Sequence, residues 1–102
     1  MDLLAVVADP VRWRLLARLA DGQTRCVCDL QPVAAVAGNL LSYHLKVLRE
    51  AGLVMAERRG RWVDYTITAG ALNRLHAAIP DADRSAGPET PAATSNNPGR
   101  SR

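Results

Sequence analysis

Apolar residues recur at helical spacing along most of the first 79 residues. After Asp9-Pro10, which is typical of a helix start with Asp as N-cap and Pro in the first turn, they predict an amphipathic helix ending near Asp21-Gly22. The preceding run, Leu3 to Ala8, predicts a short helix that is apolar on nearly every side. We expect such a helix to be buried against another surface.

Two further helices are predicted on either side of Pro32. The segment from Cys26 to Gln31 forms a short third helix, which Pro32 is expected to end because the residue before a proline disfavours helical backbone angles. From Asn39, interpreted as an N-cap, apolar positions at i, i+4 and i+7 predict a fourth helix that stops at Ala51-Gly52. Those apolar positions are Leu41, Leu45 and Leu48.

A β-hairpin and a last helix complete the pattern. The runs Leu53 to Glu57 and Trp62 to Ile67 flank a turn with Gly60, and the second run alternates with period two. The segment Ala69 to Ile79 predicts the last helix, with Leu72, Leu75 and Ile79 on one stripe. The order α-α-α-α-β-β-α, mainly α with a β-hairpin wing, is that of a winged helix-turn-helix.

The chain divides into a folded unit, residues 1–79, and a tail, residues 80–102. The tail contains four prolines and no Leu, Ile, Val or aromatic residue, so we predict that it is disordered. A chain of 102 residues has room for one domain. Because a domain this small buries only about 60% of its unfolded surface, we expect a partner, first of all a second copy.

Charge and helix geometry together favour nucleic acid as a partner. The net charge is +3, and charges of the tail cancel, so the excess belongs to the folded unit. A solvated helix would also show polar residues opposite its core face, but three arginines crowded at one turn repel each other unless a polyanion lies nearby. The predicted DNA contacts are Asn39, Ser42, Tyr43, Lys46 and Arg49 on the fourth helix, and Arg58, Arg59 and Arg61 at the turn.

Cys26 and Cys28 are the only cysteines, and they lie too close in sequence to cross-link distant parts of a fold. At the start of a helix the positive dipole favours thiolates, which select thiophilic ions. Residues two apart on a regular helix point about 200° from one another, so a shared ion requires the helix start to unwind. Two small buried residues are the alternative interpretation.

Four segments resemble the ArsR/SmtB family of metal- and metalloid-responsive winged-helix repressors, in the family's order and spacing. They are Ala8-Asp9-Pro10-Val11-Arg12, Cys26-Val27-Cys28-Asp29-Leu30, Leu41 to Val54, and Arg59 to Tyr65. The resemblance implies a homodimer joined through its first and last helices that binds operator DNA and releases it when an inducer binds. It also implies Cys26 and Cys28 as ligands, with arsenite, antimonite or another thiophilic metal ion as the expected inducer.

Departures from the family pattern bear on the inducer. Gln31 stands where arsenite sensors often have a third cysteine, which leaves two thiolates and an exogenous ligand. A thiolate-rich cadmium site is not expected, since no Cys or His precedes Asp9. Nickel or zinc, held by His76 with Asp81 and Asp83, is the alternative. Gly38 replaces the family's base-reading Gln, so the resemblance does not imply an operator sequence.

Other classes of protein are not expected. A membrane span needs roughly 20 apolar residues, and the early apolar run has no basic start, so we expect a cytoplasmic protein. No phosphate loop or catalytic constellation accompanies the cysteines, which argues against an enzyme. A DNA-binding protein without a metal response remains an alternative. His44 is interpreted as a satisfied structural histidine, and Trp13 and Trp62 as packing residues.

Overall fold

The computed structural model of the chain describes residues 2–80, and this part contains five helices and three strands. They are α1 (Leu3–Val7), α2 (Pro10–Leu19), β1 (Arg25–Cys26), α3 (Val27–Ala34), α4 (Gly38–Glu50), β2 (Val54–Arg59), β3 (Trp62–Ile67) and α5 (Ala71–Ala78). The winged-helix prediction is confirmed. The predicted disordered tail lies outside the described residues, apart from Pro80. No helix in residues 2–80 is long and apolar enough to cross a membrane.

Helix α2 begins as its sequence predicts. The Asp9 carboxylate accepts hydrogen bonds from the amides of Val11 (2.8 Å) and Arg12 (3.2 Å), and Pro10 occupies the first turn, where no N–H is needed. Burial alone would raise the pKa of Asp9, but the amides of Arg12 and Val11, helped by the positive charge of Arg12, hold that pKa below its ordinary value. The ionised carboxylate is therefore the capping form.

Replacing Asp9 with Ala is expected to lower the free energy of unfolding by about 1 kcal/mol at neutral pH, the usual cost of losing an N-cap. Because the folded-state pKa lies below 3.8, this contribution is present above that pH and is lost as pH falls through the folded pKa. Urea unfolding at several pH values measures it. Asp9→Asn keeps an acceptor without a charge, so it should retain part of the capping energy and, like Asp9→Ala, lose the pH dependence that Asp9 contributes. A wild-type pH dependence in either variant would contradict the assignment.

Helix α3 runs to Ala34, so the prediction that it ends before Pro32 is wrong. Pro32 is the sixth helical residue, and its missing N–H leaves the carbonyl of Cys28 without its helical donor. Burial outweighs this loss, because Leu30 and Ala34 are fully buried. The helix ends instead at Ala34, because its C-cap Ala35 adopts the left-handed conformation with φ of 56°.

Helix α4 begins at Gly38, and the prediction of Asn39 as its N-cap is wrong. Ala37 occupies the N-cap position and makes no side-chain hydrogen bond, whereas Asn39 lies exposed in the first turn. Burial of Leu41 stabilises this turn without a polar cap. The predicted stop is confirmed: Ala51 is the C-cap, and Gly52 follows with φ of 76°, a conformation that favours glycine.

The core joins the helical layer to one face of the sheet. Tyr65 of β3 and Leu75 of α5 contribute from the two later elements. Its largest fully buried side chains are Leu15, Leu19, Leu30, Leu41, Leu45, Leu48, Leu53 and Val54. The leucine pattern of α2 and α4 therefore predicted the centre of the core, and Leu41, Leu45 and Leu48 all face it.

The sheet has the order β1-β3-β2, with both pairs antiparallel. The hairpin register places Arg59 opposite Trp62, so Gly60 and Arg61 form the turn. Strand β1 was not predicted, because two residues are too few to show alternation; it places Cys26 opposite Asp64. Helix α5 begins two residues later than predicted, because Gly70 before it is left-handed.

Candidate functional site

Helix α4 presents a polar face opposite its leucines. All five residues predicted to contact DNA on this helix are exposed: Asn39, Ser42, Tyr43, Lys46 and Arg49. The Tyr43 side chain is 54% exposed, which is unusual for a large aromatic residue in a small domain. Leu40, also exposed, was not singled out from the sequence, although an exposed apolar side chain beside polar ones can contact a thymine methyl group.

The wing carries the three predicted arginines in two different states. Arg59 is held by Asp64 through bonds of 2.8 Å from Nε and 3.2 Å from one terminal nitrogen. These hydrogen bonds lower the pKa of Asp64 and raise the pKa of Arg59, so both groups stay charged. Arg58 reaches only the carbonyl of Gly60 at 3.4 Å, and Arg61 is exposed at the tip. The positive charge offered by the wing therefore comes mainly from Arg58 and Arg61.

The cysteine pair spans the junction of β1 and α3. Cys26 is the N-cap of α3 with extended backbone, and Cys28 lies in the first turn with its amide donating to Cys26 Sγ at 3.2 Å. The two sulfurs are joined as a disulfide, with Cα atoms 5.1 Å apart. Because Cys26 lies outside the helix, both sulfurs face the same point without any unwinding. Cys26 is buried and Cys28 is exposed, so solvent reaches the pair from one side.

The donor set around the cysteines is small. Within the described part of the chain, no three His, Cys, Asp or Glu side chains lie together in a way that could hold a metal ion. A closed tetrahedral zinc site needs four ligands, so these residues do not fit one. His76 lies exposed on α5, while Asp81 and Asp83, its proposed partners for nickel or zinc, fall outside the described residues.

The helix that starts at the cysteines leads directly to the start of α4. The Gln31 side-chain amide donates to the carbonyl of Val36, in the turn between α3 and α4. Arg14 of α2 holds the same end of α3 by donating to the carbonyls of Val33 (3.3 Å) and Ala34 (3.2 Å). The eight-residue α3 therefore links the cysteine pair to the first turn of α4.

Helices α1, α2 and α5 enclose an apolar groove of about 320 Å³. Trp13 lines it and is 59% exposed, so Trp13, interpreted as a packing residue, does not pack in the core of the single chain. Trp62 is also exposed, since it sits where β3 leaves the turn and faces solvent. His44, by contrast, is buried in α4 and hydrogen-bonded to Arg12, which confirms its interpretation as a satisfied structural histidine.

The chain is similar to curated transcriptional repressors. It is 36% identical over 69 residues to the "Arsenical resistance operon repressor" of Bacillus subtilis (strain 168), a match covering 68% of this chain and 66% of that protein. It is 42% identical over 66 residues to the "HTH-type transcriptional repressor SmtB" of Mycobacterium tuberculosis (strain CDC 1551 / Oshkosh), covering 65% of this chain and 48% of that protein. The chain thus spans between about half and two thirds of the length of these relatives.

A solved structure agrees with the sequence matches. The "Possible transcriptional regulator for arsenical resistance" superposes with a TM-score of 0.71 and 33% identity, covering 87% of this chain and 99% of that one. Residues 9–56, from the N-cap of α2 into β2, match the family model described as "Bacterial regulatory protein, arsR family". The family is one of regulatory proteins and not of enzymes. The chain belongs to the ArsR family of bacterial regulatory proteins.

Proposed function

We propose that this chain is a cytoplasmic, homodimeric repressor that binds operator DNA and releases it when As(III) binds Cys26 and Cys28. The DNA-binding and dimerisation unit is residues 1–79. The observation that carries the proposal is the convergence of both sulfurs at the start of α3, the helix that leads into α4. Relatives named for arsenical resistance support the choice of ion.

DNA binding uses the exposed face of α4 and the tip of the wing. Asn39 and Ser42 offer hydrogen bonds to base edges, while Lys46 and Arg49 neutralise phosphates. In a winged helix this helix enters the major groove and the wing follows the backbone. Two such helices in a dimer read half-sites one helical turn apart, about 34 Å.

Sensing needs the reduced form of the pair. Arsenous acid reacts with two thiols, forming two As–S bonds and releasing two waters, and one hydroxide remains on arsenic. This pyramidal product matches a site with two sulfurs and one solvent-facing side. That hydroxide takes the place of a third protein ligand. Gln31, which stands where a third cysteine would be, is instead hydrogen-bonded to the carbonyl of Val36.

Dimerisation covers the groove between α1, α2 and α5. Its lining includes Trp13, Leu72 and Ile79, each about half exposed or more in the single chain. Exposed apolar side chains gathered at one groove are typical of an interaction surface. A second copy placed there buries them and sets the two α4 helices at a fixed separation.

Arsenite is expected to release reduced protein from DNA, and a Cys26→Ser, Cys28→Ser variant is expected to stay bound. The physical reason is that an ion bound at the start of α3 changes the preferred position of this helix. The other end of α3 fixes the first turn of α4. Couplings between sites of this kind are typically 5- to 150-fold in affinity. Fluorescence anisotropy on a DNA fragment from upstream of the gene, titrated with arsenite at fixed salt, measures the effect.

Controls separate this mechanism from its alternatives. Protein oxidised to the Cys26–Cys28 disulfide has no free thiol, so it should bind DNA without responding to arsenite. Nickel and zinc titrations test the nitrogen and oxygen donors of α5 and the tail in the serine variant. Arsenite release that persists in the serine variant would remove the cysteines from the sensor, and no response to any ion would leave a DNA-binding protein without a metal response.

A further inference from the structure

One arginine joins three helices at the back of α4. Arg12 of α2 donates from Nε to the carbonyl of Val6 in α1 at 2.6 Å. Its terminal nitrogen Nη1 lies 3.1 Å from Nδ1 of His44 in α4. The backbone amide of Arg12 is meanwhile held by the Asp9 cap, which fixes where the side chain starts. The rigid guanidinium fork therefore spans from α1 to α4.

The chemistry of this contact assigns the state of His44. A guanidinium has donors and no acceptor, so Nδ1 of His44 must accept the bond. The imidazole is then neutral, with its proton on Nε2. His44 is only 7% exposed, so loss of this donor would leave a buried nitrogen without its partner.

His44 also lies directly behind the exposed face of α4. Its ring meets the ring of Tyr43 edge to face, with centroids 5.2 Å apart. Tyr43 is a predicted DNA contact, and Val6 is in α1, one of the helices lining the groove proposed for the dimer. One continuous set of contacts thus connects the proposed dimer helix to the proposed DNA-contacting side chain.

We propose that Arg12, acting through His44, is a positioning residue that fixes the orientation of α4 relative to α1. The inference rests on the proposed dimeric DNA binding, because orientation matters most when two α4 helices must meet two half-sites at once. Arg12 contributes to the spacing of the two helices and not to contact with DNA. Loss of the Arg12 side chain is therefore expected to lower the ratio of the affinity for two half-sites to the affinity for one.

The test uses duplexes selected from a random library by wild-type protein, the same duplexes with one half-site scrambled, and versions with one base pair inserted between half-sites. Arg12→Met is expected to lose about tenfold in affinity for the two-site duplex, within the usual range of coupling between sites. Affinity for the scrambled duplex should stay unchanged. The inserted base pair should cost the variant less than it costs wild type, because α4 is less rigidly placed.

Matched variants separate positioning from charge and from folding. Arg18→Met removes an exposed arginine of the same helix and should keep the wild-type ratio between duplexes. His44→Asn keeps an acceptor near the Nδ1 position and should behave as wild type, whereas His44→Leu should match Arg12→Met. The double variant Arg12→Met, His44→Leu should lose no more than either single one, since both remove the same contact.

Three results would overturn the inference: an unchanged affinity of Arg12→Met for the two-site duplex, an equal loss of affinity on both duplexes, or His44→Asn failing as His44→Leu does. Hydrogen exchange decides the matter without DNA, because Arg12→Met should speed exchange of α4 amides more than that of β2 and β3 amides. If wild-type protein does not prefer two half-sites, the proposal of dimeric DNA binding fails. The role of Arg12 is rejected independently if Arg12→Met speeds hydrogen exchange equally in α4, β2 and β3.

Discussion

Replacing Leu72 with Glu is expected to leave the chain folded and to prevent it from dimerising at micromolar concentrations. Leu72 is 48% exposed on α5, so the carboxylate of a glutamate at this position reaches solvent in the single chain. In the proposed dimer the same position is covered, and a carboxylate buried there without a partner strongly opposes association. DNA affinity should fall by about a hundredfold, because linking two binding sites adds roughly that much or more.

Sedimentation equilibrium and anisotropy on a two-site duplex measure the two effects in parallel. Asn73→Glu is the matched control, since Asn73 is the next residue of α5, is exposed, and does not line the groove. It adds the same charge and should keep both the dimer and the affinity. A Leu72→Glu protein that is still dimeric and binds DNA normally would place the interface elsewhere on the molecule.

The groove is a surface feature of this protein that the sequence pattern did not predict. A helix with leucines at regular spacing is predicted to bury them, and Leu15, Leu16 and Leu19 of α2 are indeed buried. Trp13 lies on the same helix, and its apolar character gave no sign that it faces outward. Periodicity identifies an apolar face, but it does not tell whether that face meets the same chain or a second one.

The order of helices and wing was predictable because strong local signals coincide with burial. Asp9-Pro10 both starts α2 and caps it, and Gly52 both stops α4 and adopts a positive φ. Pro32 and Asn39 carry equally clear local preferences, yet tertiary contacts override them. Burial of Leu30 and Leu41 stabilises the adjoining turns more than the proline or a missing cap disfavours them.

The candidate site was predicted in its residue types and only partly in its geometry. The exposed face of α4 follows from the position of the leucines, and the structure has those polar residues exposed. The meeting of Cys26 and Cys28 could not be derived from helical geometry, because it depends on β1 pairing with β3 and holding Cys26 outside α3. The Arg12–His44 contact joins residues 32 apart and leaves no local pattern in the sequence.

Replacing Arg58 and Arg61 together with Gln is expected to weaken DNA binding about 30-fold at low salt, if each exposed contact contributes about 1 kcal/mol. Both guanidiniums lie exposed at the wing, which we propose follows the backbone of DNA. Loss of two phosphate contacts should also reduce the slope of log affinity against log salt concentration by about two. The weakening should be nearly uniform across DNA sequences, because phosphate contacts carry no base information.

The Arg59–Asp64 pair is the informative comparison for the wing, because Arg59 is next to Arg58 but its charge is already paired. The Arg59 guanidinium is bound by Asp64, whose carboxylate stays ionised beside it, so the pair presents little net charge to DNA. The double variant Arg59→Gln, Asp64→Asn removes both charges of this pair, so it should reduce the salt slope by less than either Arg58→Gln or Arg61→Gln. An equal reduction in this variant and in the two single variants would show that DNA displaces Asp64 from Arg59, and unchanged slopes in all of them would mean that the wing does not reach the phosphates.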